Sequence, residues 1–143
     1  MNEHPVLAKI DRDRPYFDRS IERRLGDRNQ ECRLQIWLPV QLDNGGWVAA
    51  VRVIGLDMPQ ISAMPGDDPL GAVIAAIAFA REVMERAEGS FLFGERQMAG
   101  LPLFLDRGFQ PDVLLDLESR ASNMADEAAE HLYGFPMPKR SFG

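Results

Sequence analysis

Residues of the types that catalyse reactions are few and scattered in this chain of 143 residues. The two histidines, His4 and His131, lie near opposite ends, and neither belongs to a His-x-x-x-His or Cys-x-x-Cys spacing that would bind a metal. The single cysteine, Cys32, has no histidine near it in sequence to activate its thiol. We therefore expect a structural thiol, no metal or other cofactor, and no enzymatic activity.

Two acidic pairs are the remaining candidates for acid–base chemistry. Asp67 and Asp68 precede an apolar helix, where a carboxylate typically caps the first free N–H groups. Glu82 and Glu85 lie one helical turn apart in a polar stretch, as on a solvated face. Neither pair requires a catalytic interpretation.

The charge of the chain argues against a nucleic-acid partner. Its net charge is −6 and its pI is about 4.9, whereas phosphate binding over a broad surface needs a basic footprint. The arginines that cluster near the N-terminus are balanced by acidic residues within the same segment. A basic protein partner suits this composition better.

Two surfaces are predicted to bind such a partner. One is the polar face of a second helix, which we call the acidic surface; its residues are Asp112, Asp116, Asp126, Glu127 and Glu130. The other is apolar and consists of Trp37, on the predicted wet face of a strand, with Phe91, Phe93 and Phe104 from the glycine-broken segment 91–109. A solvated helix face and a cap over the core are the alternative interpretations.

The elements that position these residues predict an α+β fold. About four antiparallel strands form a meander: residues 16–25, which read as an edge strand, 31–42, 47–56 and a short strand around 60–64. In the second strand Leu34 and Ile36 alternate with Gln35 and Trp37, and Pro39 suggests a bulge or an unpaired edge. A tight hairpin is expected at residues 43–46.

Two helices follow the strands. The first, residues 68–88, has no polar side chain between Leu70 and Ala80, so we expect it to be enclosed on both faces. Asp68 and Gly89 should mark its ends. The second, residues 111–133, is amphipathic, and Gly134 should stop it. Its apolar residues, expected to face inward and called the α2 stripe below, are Leu114, Leu117, Ala121, Met124, Ala128 and Leu132.

The domain organisation predicted from these patterns is simple. We expect a loosely ordered N-terminal arm over residues 1–15, one α+β domain over 16–134 and an extended tail over 135–143. The N-terminus lacks a secretory apolar run, and the longest apolar stretch is too short to span a bilayer. The expected location is therefore cytoplasmic, without membrane contact.

One part of the chain resembles a family. Residues 47–55, a Trp-led strand ending in Gly55, are followed by Gly66-Asp67-Asp68-Pro69-Leu70-Gly71-Ala72 and a long apolar helix. This arrangement, covering residues 42–88, resembles a group of small uncharacterised bacterial α+β domains. The resemblance implies a bacterial origin and an α+β domain.

Three functions are compatible with the sequence. The first is a non-enzymatic bacterial interaction protein, most concretely an immunity-type inhibitor that binds a cognate toxin through the acidic and apolar surfaces. The second is a small-molecule-binding or enzymatic domain whose apolar pocket is lined by Phe91, Phe93 and Phe104, with Asp67, Asp68 or Arg52 at its mouth. The third is a homodimeric scaffold in which exposed apolar residues pair across a two-fold axis.

Overall fold

The computed structural model describes residues 4–56 and 60–134. These residues form two α-helices and one antiparallel sheet of seven strands, so the predicted α+β class is confirmed and the count of about four strands is too low. The tail 135–143 lies outside the described residues. The strands are β1 (Phe17–Leu25), β2 (Arg28–Ile36), β3 (Val40–Gln41), β4 (Trp47–Ile54), β5 (Ser62–Gly66), β6 (Ser90–Phe93) and β7 (Arg96–Gln97), and the helices are α1 (Pro69–Arg86) and α2 (Pro111–Tyr133).

The strands follow the order β3, β4, β2, β1, β6, β7, and β5 also pairs with β4. The prediction that residues 16–25 form an edge strand is wrong, because β1 lies between β2 and β6. Its neighbour β6 comes from the glycine-broken segment, whose mixed periodicity does not indicate a strand. The hairpin at residues 43–46 is confirmed, since Gln41 pairs with Trp47 across it.

A β-bulge separates β2 from β3. Both strands pair with β4, but their registers differ by one residue, so Leu38 and Pro39 lie opposite the single residue Ala49. Pro39 has no N–H group for a ladder hydrogen bond, which suits it to this position. The bulge that Pro39 suggests in the sequence is therefore present.

The bulge reverses the side-chain alternation of this strand. Leu34 and Ile36, before it, pack in the main core beneath α1. Val40 and Leu42 have the same sequence parity, yet they pack with Trp37 in a second cluster. The even-numbered residues of this segment therefore lie on one face of the sheet before the bulge and on the other face after it.

The second cluster also contains part of the N-terminal segment. Residues Pro5–Ala8 form a 3₁₀ turn, and Val6 is 1% exposed between Trp37 and the β4 residues Val48 and Ala50. The expectation of a loosely ordered arm therefore does not hold for this turn. Its short apolar patch packs on the sheet instead.

α1 begins where the sequence predicts. Asp68 Oδ1 accepts the N–H of Gly71 at 2.6 Å, and Pro69 occupies the first helical position. The helix ends at Arg86 rather than at Gly89. Gly89 has a φ of +102°, and a Cβ there would lie 2.6 Å from the carbonyl oxygen of Arg24, so this glycine serves the close approach to β1.

α1 buries only one of its faces. The buried stripe consists mainly of alanines, because the helix lies close to β5: a Cβ on Gly66 would come within 2.2 Å of the backbone nitrogen of Ala72. The prediction that both faces are enclosed is wrong, since Leu70 is 66% exposed and Ile74 is 41% exposed. The stripe comprises Ala72, Ala76, Ala80 and Met84.

The chain divides into two compact units, at the boundary between Leu103 and Phe104. The first contains the whole sheet, α1 and a 3₁₀ turn at Met98–Gly100. The second contains α2, which ends at Gly134 with a φ of +75°, as predicted.

Candidate functional site

The acidic surface of α2 is the strongest candidate that the sequence offers. Asp112, Asp116 and Glu127 are exposed, and at 100° per residue they fall within an arc of about 60° on the helix. Asp116 pairs with Arg120 at 2.6 Å within the helix. These three carboxylates therefore share one side of α2, which we call the acidic strip.

Asp126 and Glu130 contribute less than predicted. Asp126 is only 9% exposed, and Glu130 is half-buried. Asp126 projects about 100° around the helix from Glu127, so it lies away from the middle of the acidic strip. The inclusion of Asp126 in an exposed surface is therefore wrong.

The α2 stripe is exposed where we expect it to be buried. Met124 is 70% exposed and Leu132 is 75% exposed, while Leu114 and Leu117 are half-buried. The periodicity correctly groups these side chains on one face. It does not show that the chain itself covers that face, and α2 consequently presents an apolar stripe beside an acidic strip.

Trp37 does not belong to an exposed surface. Its ring is 3% exposed, and its Nε1–H donates to the carbonyl oxygen of Asp11 at 2.7 Å. The bulge explains the difference, because it gives Trp37 apolar neighbours, including Val40, on the face that we predict to be wet. Trp37 is a core residue here.

The three phenylalanines predicted to act together differ in burial and in the unit to which they belong. Phe91 is 1% exposed in the main core. Phe93 is 40% exposed, and the guanidinium of Arg19 lies 4.0 Å from its ring centroid. Phe104 belongs to the second unit. The prediction that Phe91 is available to a partner is therefore wrong.

A polar row that the sequence pattern does not predict crosses the sheet face opposite α1. Asp18, Gln35 and Arg52 are cross-strand neighbours on β1, β2 and β4. Arg52 donates twice to Gln35 Oε1, at 2.6 and 3.0 Å, and Gln35 donates to Asp18 at 3.4 Å. Only the strand register brings these side chains together, and the register is not visible in sequence periodicity.

At each end of the polar row, a side chain makes a further contact. Arg33 donates to Asp18 Oδ1 at 2.9 Å, and this hydrogen bond raises the pKa of the Arg33 guanidinium. The guanidinium of Arg52 lies 5.4 Å from the ring centroid of Trp37. Since Gln35 is 7% exposed, these bonds satisfy a buried amide, which is a structural role.

A groove in the first unit offers space for a ligand. It has a volume of about 440 Å³ and lies between the start of β1 and α1. Tyr16 and Phe17 at its rim are 64% and 49% exposed and meet edge to face. The groove is lined by Tyr16, Phe17, Asp18, Arg19, Leu34, Ile36, Val73 and Ile77, none of which we predicted as site residues.

The residues considered for catalysis have structural contacts. His4 Nδ1 accepts the N–H of Val6 at 3.0 Å, and Asp68 caps α1. Burial raises the pKa of the Cys32 thiol, with a smaller opposing effect of Arg23. Glu82 and Glu85 pair with arginines of α1. Within residues 4–56 and 60–134, no three His, Cys, Asp or Glu side chains are grouped to hold a metal ion.

Comparison of the chain with protein-family models, with curated proteins and with solved structures finds no match. The resemblance of residues 42–88 to small bacterial domains therefore stays a prediction. In the described part of the chain, no helix has both the length and the apolar content needed to cross a bilayer.

Proposed function

We propose that this chain is a non-enzymatic interaction protein that binds a basic protein partner through α2. The observation that carries the proposal is the exposed strip of Asp112, Asp116 and Glu127 beside the exposed α2 stripe. Protein interfaces combine desolvated apolar anchors with a charged rim in this way.

The charge distribution supports a basic partner. α2 carries six acidic residues and one arginine, and so holds most of the net charge of −6. Such a field accelerates encounters with a positively charged protein and repels an acidic one. The partner's contact surface should accordingly be rich in lysine and arginine.

The most concrete form of the proposal is an immunity-type inhibitor of a bacterial toxin, acting in the cytoplasm. A toxin that cleaves nucleic acid grips phosphates with basic residues. The carboxylates of Asp112, Asp116 and Glu127 would pair with those basic side chains of the toxin in place of phosphate. This form of the proposal involves no cofactor, membrane or nucleic acid on the part of the inhibitor.

The test uses two variants of equal net charge. One neutralises the acidic strip (Asp112→Asn, Asp116→Asn, Glu127→Gln), and the control neutralises three exposed acids elsewhere (Asp13→Asn, Asp27→Asn, Glu95→Gln). The binding partner in this test is the protein encoded by the reading frame next to the gene of this chain. The association rate of each variant with that protein is measured at about 50 and 300 mM salt, between which the electrostatic screening length changes roughly twofold.

We expect the strip variant to associate about tenfold more slowly at low salt and to lose most of the salt dependence, while the control resembles the wild type. Equal rates for the two variants would contradict the acidic strip as the binding site. Binding without rescue of cells that produce the toxin would contradict only the immunity-type function.

The groove beside β1 favours small-molecule binding as a second function. Its volume of about 440 Å³ is within the usual range for ligand sites, and apolar side chains form much of its lining. The predicted pocket lined by Phe91, Phe93 and Phe104 does not fit the structure, because Phe91 lies in the core. A thermal-shift screen of the wild type against small apolar compounds tests small-molecule binding in the groove. The variant Ile77→Trp narrows the groove, so a compound that raises the melting temperatures of the variant and the wild type equally does not bind there.

A further inference from the structure

We propose that α2 pairs with the α2 helix of a second copy of this chain, in antiparallel orientation, through the α2 stripe. The inference does not rest on the proposed function, although the α2 stripe and Glu127 take part in both, so a second copy and a basic partner compete for this helix. Four properties of α2 support it: spacing, exposure, the sizes of the facing residues and the charges that flank them.

The spacing of the α2 stripe is that of a helix-pairing seam. Leu114, Leu117, Ala121, Met124 and Ala128 follow one another at intervals of three, four, three and four residues. These are the a and d positions of a heptad. The next d position is His131, and Leu132 directly after it continues the apolar face, as expected from the drift of a straight helix against a seven-residue repeat.

The exposure of the stripe makes its C-terminal half accessible to a partner. Met124 and Leu132 are 70% and 75% exposed, and Ala121 and Ala128 are exposed as well. Two large apolar side chains in one row on a helix surface are unfavourable in water. A second copy brings an identical row, and a two-fold axis makes each row cover the other.

The sizes of the residues select the antiparallel orientation. In an antiparallel pair each a position faces a d position, so Leu117 packs against Ala128 of the second copy, and Ala121 packs against its Met124. Both of these layers combine a large side chain with a small one, which fills space evenly, and at each end of the seam Leu114 faces His131. A parallel pair would instead place Ala121 against Ala121 and Ala128 against Ala128, leaving gaps.

The charges beside the seam select the same orientation. Arg120 and Glu127 occupy consecutive g positions, and antiparallel helices bring g positions together. Arg120 then meets Glu127 of the second copy, and the symmetry repeats this ion pair. Arg120 is 72% exposed at its side chain, and its guanidinium has donors to spare beyond the bond to Asp116. On the other flank Glu118 faces the neutral Ala125.

The first test exchanges these charges in the full-length protein. Arg120→Glu or Glu127→Arg alone places like charges opposite each other, and we expect each to raise the dimer dissociation constant about tenfold in sedimentation equilibrium. The double variant Arg120→Glu/Glu127→Arg should restore wild-type association. An equimolar mixture of the two single variants should form a heterodimer, because both of its ion pairs are then favourable.

The second test removes the apolar seam. Met124→Glu should raise the dissociation constant at least about 100-fold, since it buries a charge at the centre of the interface. Leu103→Glu, at a position 53% exposed outside α2, is the matched control and should leave association unchanged. Circular dichroism checks that both variants keep their helices.

Three results would overturn the inference. They are a monomeric wild-type protein at about 100 µM, a dimer unaffected by Met124→Glu, and a dimer in which the double charge exchange does not restore association. The failure of the proposed function is distinguishable from these, because a basic partner bound at the acidic strip can be measured with a monomeric protein.

Discussion

Cys32 illustrates how burial decides the chemistry of a single residue. Its thiol is completely buried opposite Ile21 on β1, in the core beneath α1. Burial raises its pKa, because the thiolate would lose its hydration there. A reactive cysteine needs the opposite environment, in which a nearby positive charge and solvent access favour the thiolate.

The raised pKa of Cys32 predicts a pH dependence of stability. Above the ordinary pKa of a thiol, the unfolded chain ionises while the folded protein keeps the proton, so the free energy of unfolding falls as the pH rises. The effect is absent below that pKa. Between about pH 7 and pH 10 the free energy of unfolding, measured by urea unfolding, should fall further for the wild type than for Cys32→Ala. Parallel losses in the two proteins would show that the thiol ionises equally in both states.

Trp37 and Gln35 show where prediction from sequence stops at this scale. The predicted direction of their side chains is correct, since Gln35 on β2 and Trp37 directly after it both point away from Leu34 and Ile36. Their environment depends on residues distant in sequence, namely Val6 for Trp37 and Asp18 for Gln35. A side chain's direction follows from local geometry, whereas its burial requires the whole fold.

At the scale of elements, local signals correctly predict the types of the two helices and of the hairpin strands and several of their ends, but not the C-terminal end of α1. The Asp68 cap, the hairpin at residues 43–46 and the Gly134 stop all form as their residue types indicate. The short strands β6 and β7 lack such signals, because Gly94 separates them after only a few residues and because the pairing of β6 with β1 is non-local. What covers each apolar face is also not a local property, as α1 and α2 both show.

The bulge between β2 and β3 predicts that Pro39 can be deleted without turning any side chain to the other face. Deleting Pro39 removes only the extra residue, so Leu38 stays opposite Ala49, and Val40 stays opposite Val48 on the side of Trp37. Pro39→Ala keeps the extra residue. We expect the deletion and the substitution each to lower the free energy of unfolding by less than about 1 kcal/mol.

Thermal unfolding followed by tryptophan fluorescence checks both variants, since Trp37 lies in the affected cluster. The substitution is the control for the loss of the proline ring itself. A much lower melting temperature for the deletion than for the substitution would mean that the extra residue is needed to position this cluster.

At the scale of the whole molecule, the unequal distribution of charge matters more than its total. The chain carries −6, and α2 alone contributes six acidic residues against one arginine. The N-terminal segment, by contrast, interleaves both signs, and its ion pairs include Arg33 with Asp18. The electrostatic field of the molecule therefore originates mainly from one helix, whichever partner that helix binds.

This concentration of charge predicts how the protein behaves on an anion-exchange matrix. Retention depends on the local charge density that meets the matrix, so removing three charges from α2 should matter more than removing three dispersed ones. The variant neutralised at Asp112, Asp116 and Glu127 should elute at clearly lower salt than the one neutralised at Asp13, Asp27 and Glu95, although both keep the same net charge. Sizing chromatography of the two variants at the loading concentration provides the control, because a change in oligomeric state would also change retention. Coincident elution of variants with the same oligomeric state would show that the field is spread over the molecule, and the electrostatic argument for a basic partner at α2 would then lose its foundation.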